Sequence, residues 1–122
     1  MNLSELAGWG RIAKEIEPLK DLKLRVHSLT VKEEEEIYTV IAKVSDDALV
    51  KTSALQIETL ARSIETINGE KFLDVEVLRN HLKSLQRHLL NVIWQSWVKE
   101  IEEPAINSIN DSKKNSEPPM PG

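Results

Sequence analysis

The chain has 122 residues and a formal net charge of −4, enough for one domain with one modest core and no global basic field for nucleic acid or an anionic membrane. Hydrophobic residues make up 40% and charged residues 30%, the balance of an ordinary globular protein. With no cysteine present, disulfides, Cys-ligated zinc, iron–sulfur clusters and thiol catalysis are excluded. The opening residues lack a basic start followed by an apolar run, so no signal peptide is expected. No apolar stretch approaches the ~20 residues that span a bilayer. A cytoplasmic chain fits these features.

Residues 1–18 read as an amphipathic N-terminal helix or arm. Asn2 is placed to cap it with Glu5 three residues later, as in a capping box. Leu6, Trp9, Ala13 and Ile16 fall near one face, Gly8 and Gly10 weaken the helix, and Pro18 ends it. Such an element either docks on its own domain or reaches a partner with Trp9 as its anchor.

Asp21 to Ser28 alternate. Leu22, Leu24 and Val26 point one way, and Lys23, Arg25 and His27 point the other, the period of a half-buried strand. One strand cannot stand alone, so a partner strand is required from this chain or another, and the rest of the sequence offers few good candidates.

Thr30 reads as an N-cap with Glu33 at the third helical position. The four glutamates Glu33 to Glu36 meet the positive end of the helix dipole. They point to successive sides of the helix, so a metal or catalytic carboxylate set is not expected. A helix over 31–44 follows, with Ile37, Val40, Ile41 and Val44 as its buried stripe.

Val50, Ala54, Ile57, Leu60, Ala61, Ile64 and Ile67 keep helical spacing from Ala48 onward. Asn68-Gly69 is then either a helix C-cap or the turn of a hairpin, and residues 62–73 are helix end or hairpin accordingly. Helix is favoured to about Leu60–Ile64. Asp74 caps the last and longest element. Val75, Leu78, Leu82, Leu85, Leu89 and Val92 follow a heptad spacing, and Leu90, Ile93, Trp94, Trp97 and Ile101 widen the stripe. The helix packs on its own domain or is shared with a second subunit. Trp94 reads as core and Trp97 as an interface anchor. Residues 102–122 hold four of the five prolines and read as a flexible polar tail.

The expected class is therefore mainly α with minor β. It is a small helical domain over 19–101 with one N-terminal strand or hairpin and a long C-terminal amphipathic helix. Leu24, Val26, Ile37, Ile41, Leu60, Ile64, Leu82, Leu85 and Leu89 are the expected core.

Chemistry is sparse. Of the three histidines, His27, His81 and His88, the latter two are seven apart, not the four of a helical zinc pair. No phosphate-cradling loop and no nucleophile elbow occurs. No catalytic residue, metal ligand or cofactor site is expected. Arg79, Lys83 and Arg87 lie four apart along one helix face, either gripping phosphates or forming a solvated face that pairs with acidic groups. The acidic balance and the shortage of stacking aromatics speak against nucleic acid.

The junction LKLRVHSLTVKEEEEI resembles the opening of small tail and baseplate assembly chaperones of tailed bacteriophages, through Leu29, Thr30, Glu33 and Glu34. The stretch LQIETLARSIETINGEKF is similar to a second element of that family, through Leu60, Ala61, Ile64, Ile67 and Gly69. The likeness covers roughly Leu22 to Ile101; the N-terminal helix lies outside it, and the cysteines of some baseplate relatives are lacking. It implies a non-enzymatic helper in the host cytoplasm that binds a tail, hub or tape-measure protein until assembly. The alternatives are a permanent structural part of the tail or baseplate, and a small nucleic-acid-associated regulator using the Arg79 face. Binding would use an unpaired strand and an over-apolar helix. The expected partner-binding residues are Trp9, Leu22, Leu24, Val26, Leu90, Trp94, Trp97 and Ile101, with self-association through the C-terminal helix as a further expectation. No membrane partner is expected.

Overall fold

The computed structural model describes residues 2–71 and 74–112. Asn2 caps a single helical turn, α1 (Leu3–Leu6), with the Asn2–Glu5 capping box in place. The chain then leaves the helix. Gly10 adopts φ +80°, a left-handed value open to glycine at little cost, and Ala13–Leu19 form strand β1. A two-residue turn, Lys20-Asp21, leads into β2 (Leu22–His27), which pairs antiparallel with β1.

Thr30 caps α2 (Val31–Ile41): its hydroxyl accepts from the Glu33 N–H at 3.2 Å, and Glu33 Oε1 accepts from the Thr30 N–H at 3.0 Å. Asp47 caps α3 (Ala48–Ser63), which passes directly into β3 (Ile64–Ile67). The Asn68-Gly69 turn, with φ of 49° and 85°, closes a tight hairpin onto β4 (Glu70–Lys71). Positive φ at both central residues is the geometry that matches the twist of paired strands. The chain continues through α4 (Val75–Lys83), α5 (Arg87–Trp97), a widened π-helical turn at Val98–Glu102, and α6 (Glu103–Ser112).

The four strands form one antiparallel sheet in the order β1-β2-β3-β4. Ile16, Leu24, Val26 and Ile64 on one face meet Leu60 and Ala61 of α3, Leu78 and Leu82 of α4, and Leu90, Ile93 and Trp97 of α5 in a single core. Ile101, from the π turn, is fully buried in it. The opposite face of β1 and β2 is charged. There Glu15 lies opposite Arg25, and Arg25 and Arg11 both pair with Glu65.

This corrects the expected class. Strand takes 18% of the chain and helix 60%, so the protein is α+β with a substantial sheet rather than mainly α. Two misread segments account for the difference. Residues 13–19 carry a two-residue alternation that ends with Ile16 facing the core and Glu15 and Glu17 facing water; their helical spacing with Leu6 and Trp9 is coincidental. Pro18 cannot donate to a ladder, and it lies in the edge strand where that omission is tolerated. Residues 64–71 are a hairpin, not a helix end. β2 therefore has partners on both sides within its own chain, and no partner strand from outside is needed.

The long C-terminal helix is also absent. As one rod from Val75 to Ile101 it would extend roughly 40 Å, well beyond a core of this size. Instead α4 stops at Ser84, whose hydroxyl donates to the His81 carbonyl at 2.6 Å. Gln86 turns extended, and α5 starts anew against the sheet. Within the expected tail, residues 103–112 are helical, extending the helical run of α5; residues 113–122 and 72–73 lie outside the described residues. Of the expected core, Ile41, Leu85 and Leu89 are only half buried, and the other six are buried.

Candidate functional site

Three clefts run along one side of the helical layer and share Leu29, the residue that joins β2 to α2. The first, of about 160 Å³, lies between α2, α3 and α5 and is lined by Leu29, Glu34, Ile37, Tyr38, Leu55, Thr59, Trp94, Trp97 and Glu102. The second continues past Trp97 and Ile101 to Ala105 and Ile106 of α6. The third turns around Leu29 to Trp9 and Val31. Together they make one groove. All three tryptophans and the single tyrosine of the chain line it.

Local sequence sets each wall. The Thr30–Glu33 capping box fixes where α2 begins, so Glu34 and Tyr38 project one turn apart along the same side. Trp94 and Trp97 are three apart on α5 and stack, with ring centroids 5.3 Å apart and planes inclined by 19°. Trp97 forms the buried floor, and its indole N–H is bound to Ser63. The π turn after Trp97 inserts one extra residue per turn; it buries Ile101 and sets Glu102 at the groove edge. The rim is apolar and open: Val31 is 72% exposed, Tyr38 62% and Ile106 53%.

The charge of the first two clefts is one-sided. They contain the carboxylates Glu34 and Glu102 and, among the described residues, no Lys, Arg or His, while the third cleft holds Arg11. Among the described residues neither carboxylate is ion-paired.

Of the residues expected to bind a partner, Trp9, Trp94 and Trp97 line the groove. Leu24, Val26 and Leu90 are buried in the chain's own core, and Leu22 packs against it. Ile101 backs the second cleft without exposed surface. Leu24, Val26, Leu90 and Ile101 therefore present no free apolar surface, and Leu22 little, contrary to the expectation of an unpaired strand and an over-apolar helix. Trp94, expected in the core, is the more exposed of the stacked pair. Tyr38, Leu55, Glu102 and Ile106 escape the sequence, and Leu29 and Glu34 stand out there only as residues of the β2–α2 junction, not of a binding site. Only the packing of α2, α3, α5 and α6 brings the six together.

The basic face dissolves in the structure. Arg79 Nε and Nη2 donate to Glu58 at 2.6 and 2.7 Å, and Arg62 Nη1 donates to the same carboxylate at 2.9 Å. Arg87 donates to Ser53 Oγ at 2.7 Å. Burial pushes the Glu58 carboxyl up, but the hydrogen bonds and charges of Arg79 and Arg62 outweigh it and hold the group below its ordinary value. The glutamate run is likewise shared out: Glu33 is in the capping box and Glu36 pairs with Arg62 at 3.2 Å. Among the described residues no three His, Asp or Glu side chains gather as a metal set, and no helix is long and apolar enough to cross a membrane.

No family model, curated protein or solved structure matches this chain.

Proposed function

We propose that this protein is a non-enzymatic assembly chaperone of a bacteriophage tail or baseplate. In this reading it holds a hub, tail or tape-measure component in the host cytoplasm until assembly. The observation that carries the binding role is the aromatic groove. Exposed Tyr38, Val31, Ile106 and Trp9 surround a floor of Trp94 and Trp97, and aromatic residues are enriched among the anchors of protein interfaces. The first cleft, at about 160 Å³, suits one side chain, and the clefts of about 300 and 310 Å³ that continue it lengthen the groove along the surface, as a segment of a larger partner requires. The assignment to phage tails rests on the resemblance carried by Leu29, Thr30, Glu33 and Glu34 at the β2–α2 junction, the same junction that forms one wall of the groove.

Co-expression tests it. The wild-type chain raises the soluble fraction of a tape-measure or hub protein, and the Tyr38→Ala, Trp94→Ala pair of substitutions does not. An unchanged soluble fraction for every tail component tried sinks the proposal. Recovery of the chain in stoichiometric amount from purified particles assigns it instead to the permanent tail structure.

A further inference from the structure

We infer that the groove selects its partner by a cationic side chain. An arginine or lysine of the bound segment enters the first cleft, against the faces of Tyr38 and Trp94, with Glu34 and Glu102 as its counter-ions. This rests on the partner-binding reading of the groove and names the chemistry of what enters it.

Three observations converge. The first is composition. Aromatic rings and carboxylates line the same small cleft, and among the described residues no cation shares it. The face of an aromatic ring carries negative electrostatic potential and attracts a cation, and two carboxylates beside it add to that field. The second is that the charges are unspent. Other carboxylates of the helical layer are engaged: Glu33 closes a cap, Glu36 meets Arg62, and Glu58 meets two arginines. Glu34 and Glu102 have none among the described residues. The third is shape. The first cleft, about 160 Å³, has room for one side chain, while the second, about 300 Å³, reaches Ile106 and accommodates apolar neighbours. The partner segment is therefore basic at one position and apolar on either side, as on one face of an amphipathic helix. A second copy of this chain is a poor occupant, because its net charge is −4 and two acidic grooves repel.

Arginine fits better than lysine. Its planar guanidinium stacks on a ring while donating to a carboxylate in its own plane, whereas an ammonium is a more strongly hydrated point charge.

The test uses synthetic amphipathic peptides identical except at one central position, which carries arginine, lysine, norleucine, glutamine or glutamate. Binding to the full chain is read from its tryptophan fluorescence, to which Trp9, Trp94 and Trp97 all contribute. The arginine peptide is expected to bind about tenfold more tightly than the norleucine peptide, about threefold of it from the cation–aromatic contact and the rest from the two carboxylates, and the glutamate peptide most weakly. In the Glu34→Gln, Glu102→Gln double variant that preference shrinks to about threefold or less, while the thermal unfolding midpoint stays put. Equal or tighter binding of norleucine overturns the inference, as does an undiminished arginine preference in the double variant or binding of none of the peptides. A concentration-dependent dimer lost in Tyr38→Ala overturns it in favour of a second copy. The two readings fail separately. If norleucine wins, the groove remains a docking surface and only its cationic chemistry falls. If the arginine peptide binds but no tail component gains solubility on co-expression, the chaperone assignment falls and the cation site stands.

Discussion

The Trp97 indole Nε1 donates to the Ser63 hydroxyl at 2.7 Å in the centre of the protein. The same hydroxyl donates to the His27 carbonyl at 2.5 Å and accepts from the His27 N–H at 3.3 Å. Ser63 has no exposed surface. One small side chain thus ties the end of β2, the end of α3 and the floor of the groove, where each polar group would otherwise be buried without a partner. Ser63→Ala removes all three bonds and costs about 1–3 kcal/mol, measured by urea unfolding followed through tryptophan fluorescence. It also frees Trp97, so the emission spectrum of the folded state shifts. A variant with wild-type stability and spectrum contradicts this role.

Glu58 carries the second polar cluster of the interior. Its side chain is 3% exposed and meets Arg62 and Arg79 together. Glu58→Ala leaves Arg79 without its carboxylate and Arg62 with Glu36 alone, and costs about 3 kcal/mol. The pH dependence has a fixed sign. The folded carboxyl titrates below its unfolded value of 4.5, so the unfolded chain binds the proton more readily. The stabilisation is present above that value and is lost as the pH falls through it toward the folded one. Denaturant titrations across acidic pH give a steep fall for the wild type and a shallower one for Glu58→Gln; parallel curves would remove Glu58 from the account.

The β3–β4 turn sets the place of the hairpin on the sheet. Asn68 N–H donates to the Lys23 carbonyl at 2.7 Å, and Asn68 Oδ1 accepts from the Lys23 N–H at 2.8 Å. Gly69 sits at φ +85° with nothing within 4 Å of an added Cβ, so a substitution there meets backbone strain and no clash. Gly69→Ala is expected to cost about 1–2 kcal/mol, and Asn68→Ala to add the loss of the bond to Lys23. A Gly69→Ala variant as stable as the wild type would mean that the turn relaxes to another type.

What the sequence discloses follows the range of the physics. The alternation of Leu22–His27 and the Thr30–Glu33 box are local, and both are legible. Asn68-Gly69 is local but has two meanings, and the choice is made by Lys23, forty-five residues away in the chain. Ile16 belongs to a strand because β2 lies beside it, a fact that residues 13–19 do not contain. The heptad run through Leu82, Leu85 and Leu89 is unbroken in sequence; Ser84 interrupts it because the chain is short enough to fold back. Glu58 reads as one more helical carboxylate until Arg79 arrives from α4. The groove is the least legible part, since its walls come from α2, α3, α5 and α6 and no single segment carries a motif for it.

The break between α4 and α5 makes a quantitative claim about the apolar stripe. In one continuous helix shared between subunits, Leu82, Leu85 and Val92 occupy equivalent seam positions, so truncating each to alanine weakens the protein comparably and the unfolding midpoint depends on protein concentration. In the folded-back arrangement the three are unequal: Leu82 is 5% exposed, Leu85 half buried at the break, and Val92 40% exposed. Leu82→Ala then costs about 2–5 kcal/mol through the cavity it leaves. Val92→Ala falls near the ~0.5 kcal/mol of ordinary surface changes, and Leu85→Ala lies between. Thermal unfolding of the three variants at two protein concentrations separates the cases. A graded series with no concentration dependence fits α4 and α5 packed as separate helices on one sheet, and three equal losses that shift with concentration would restore the shared rod.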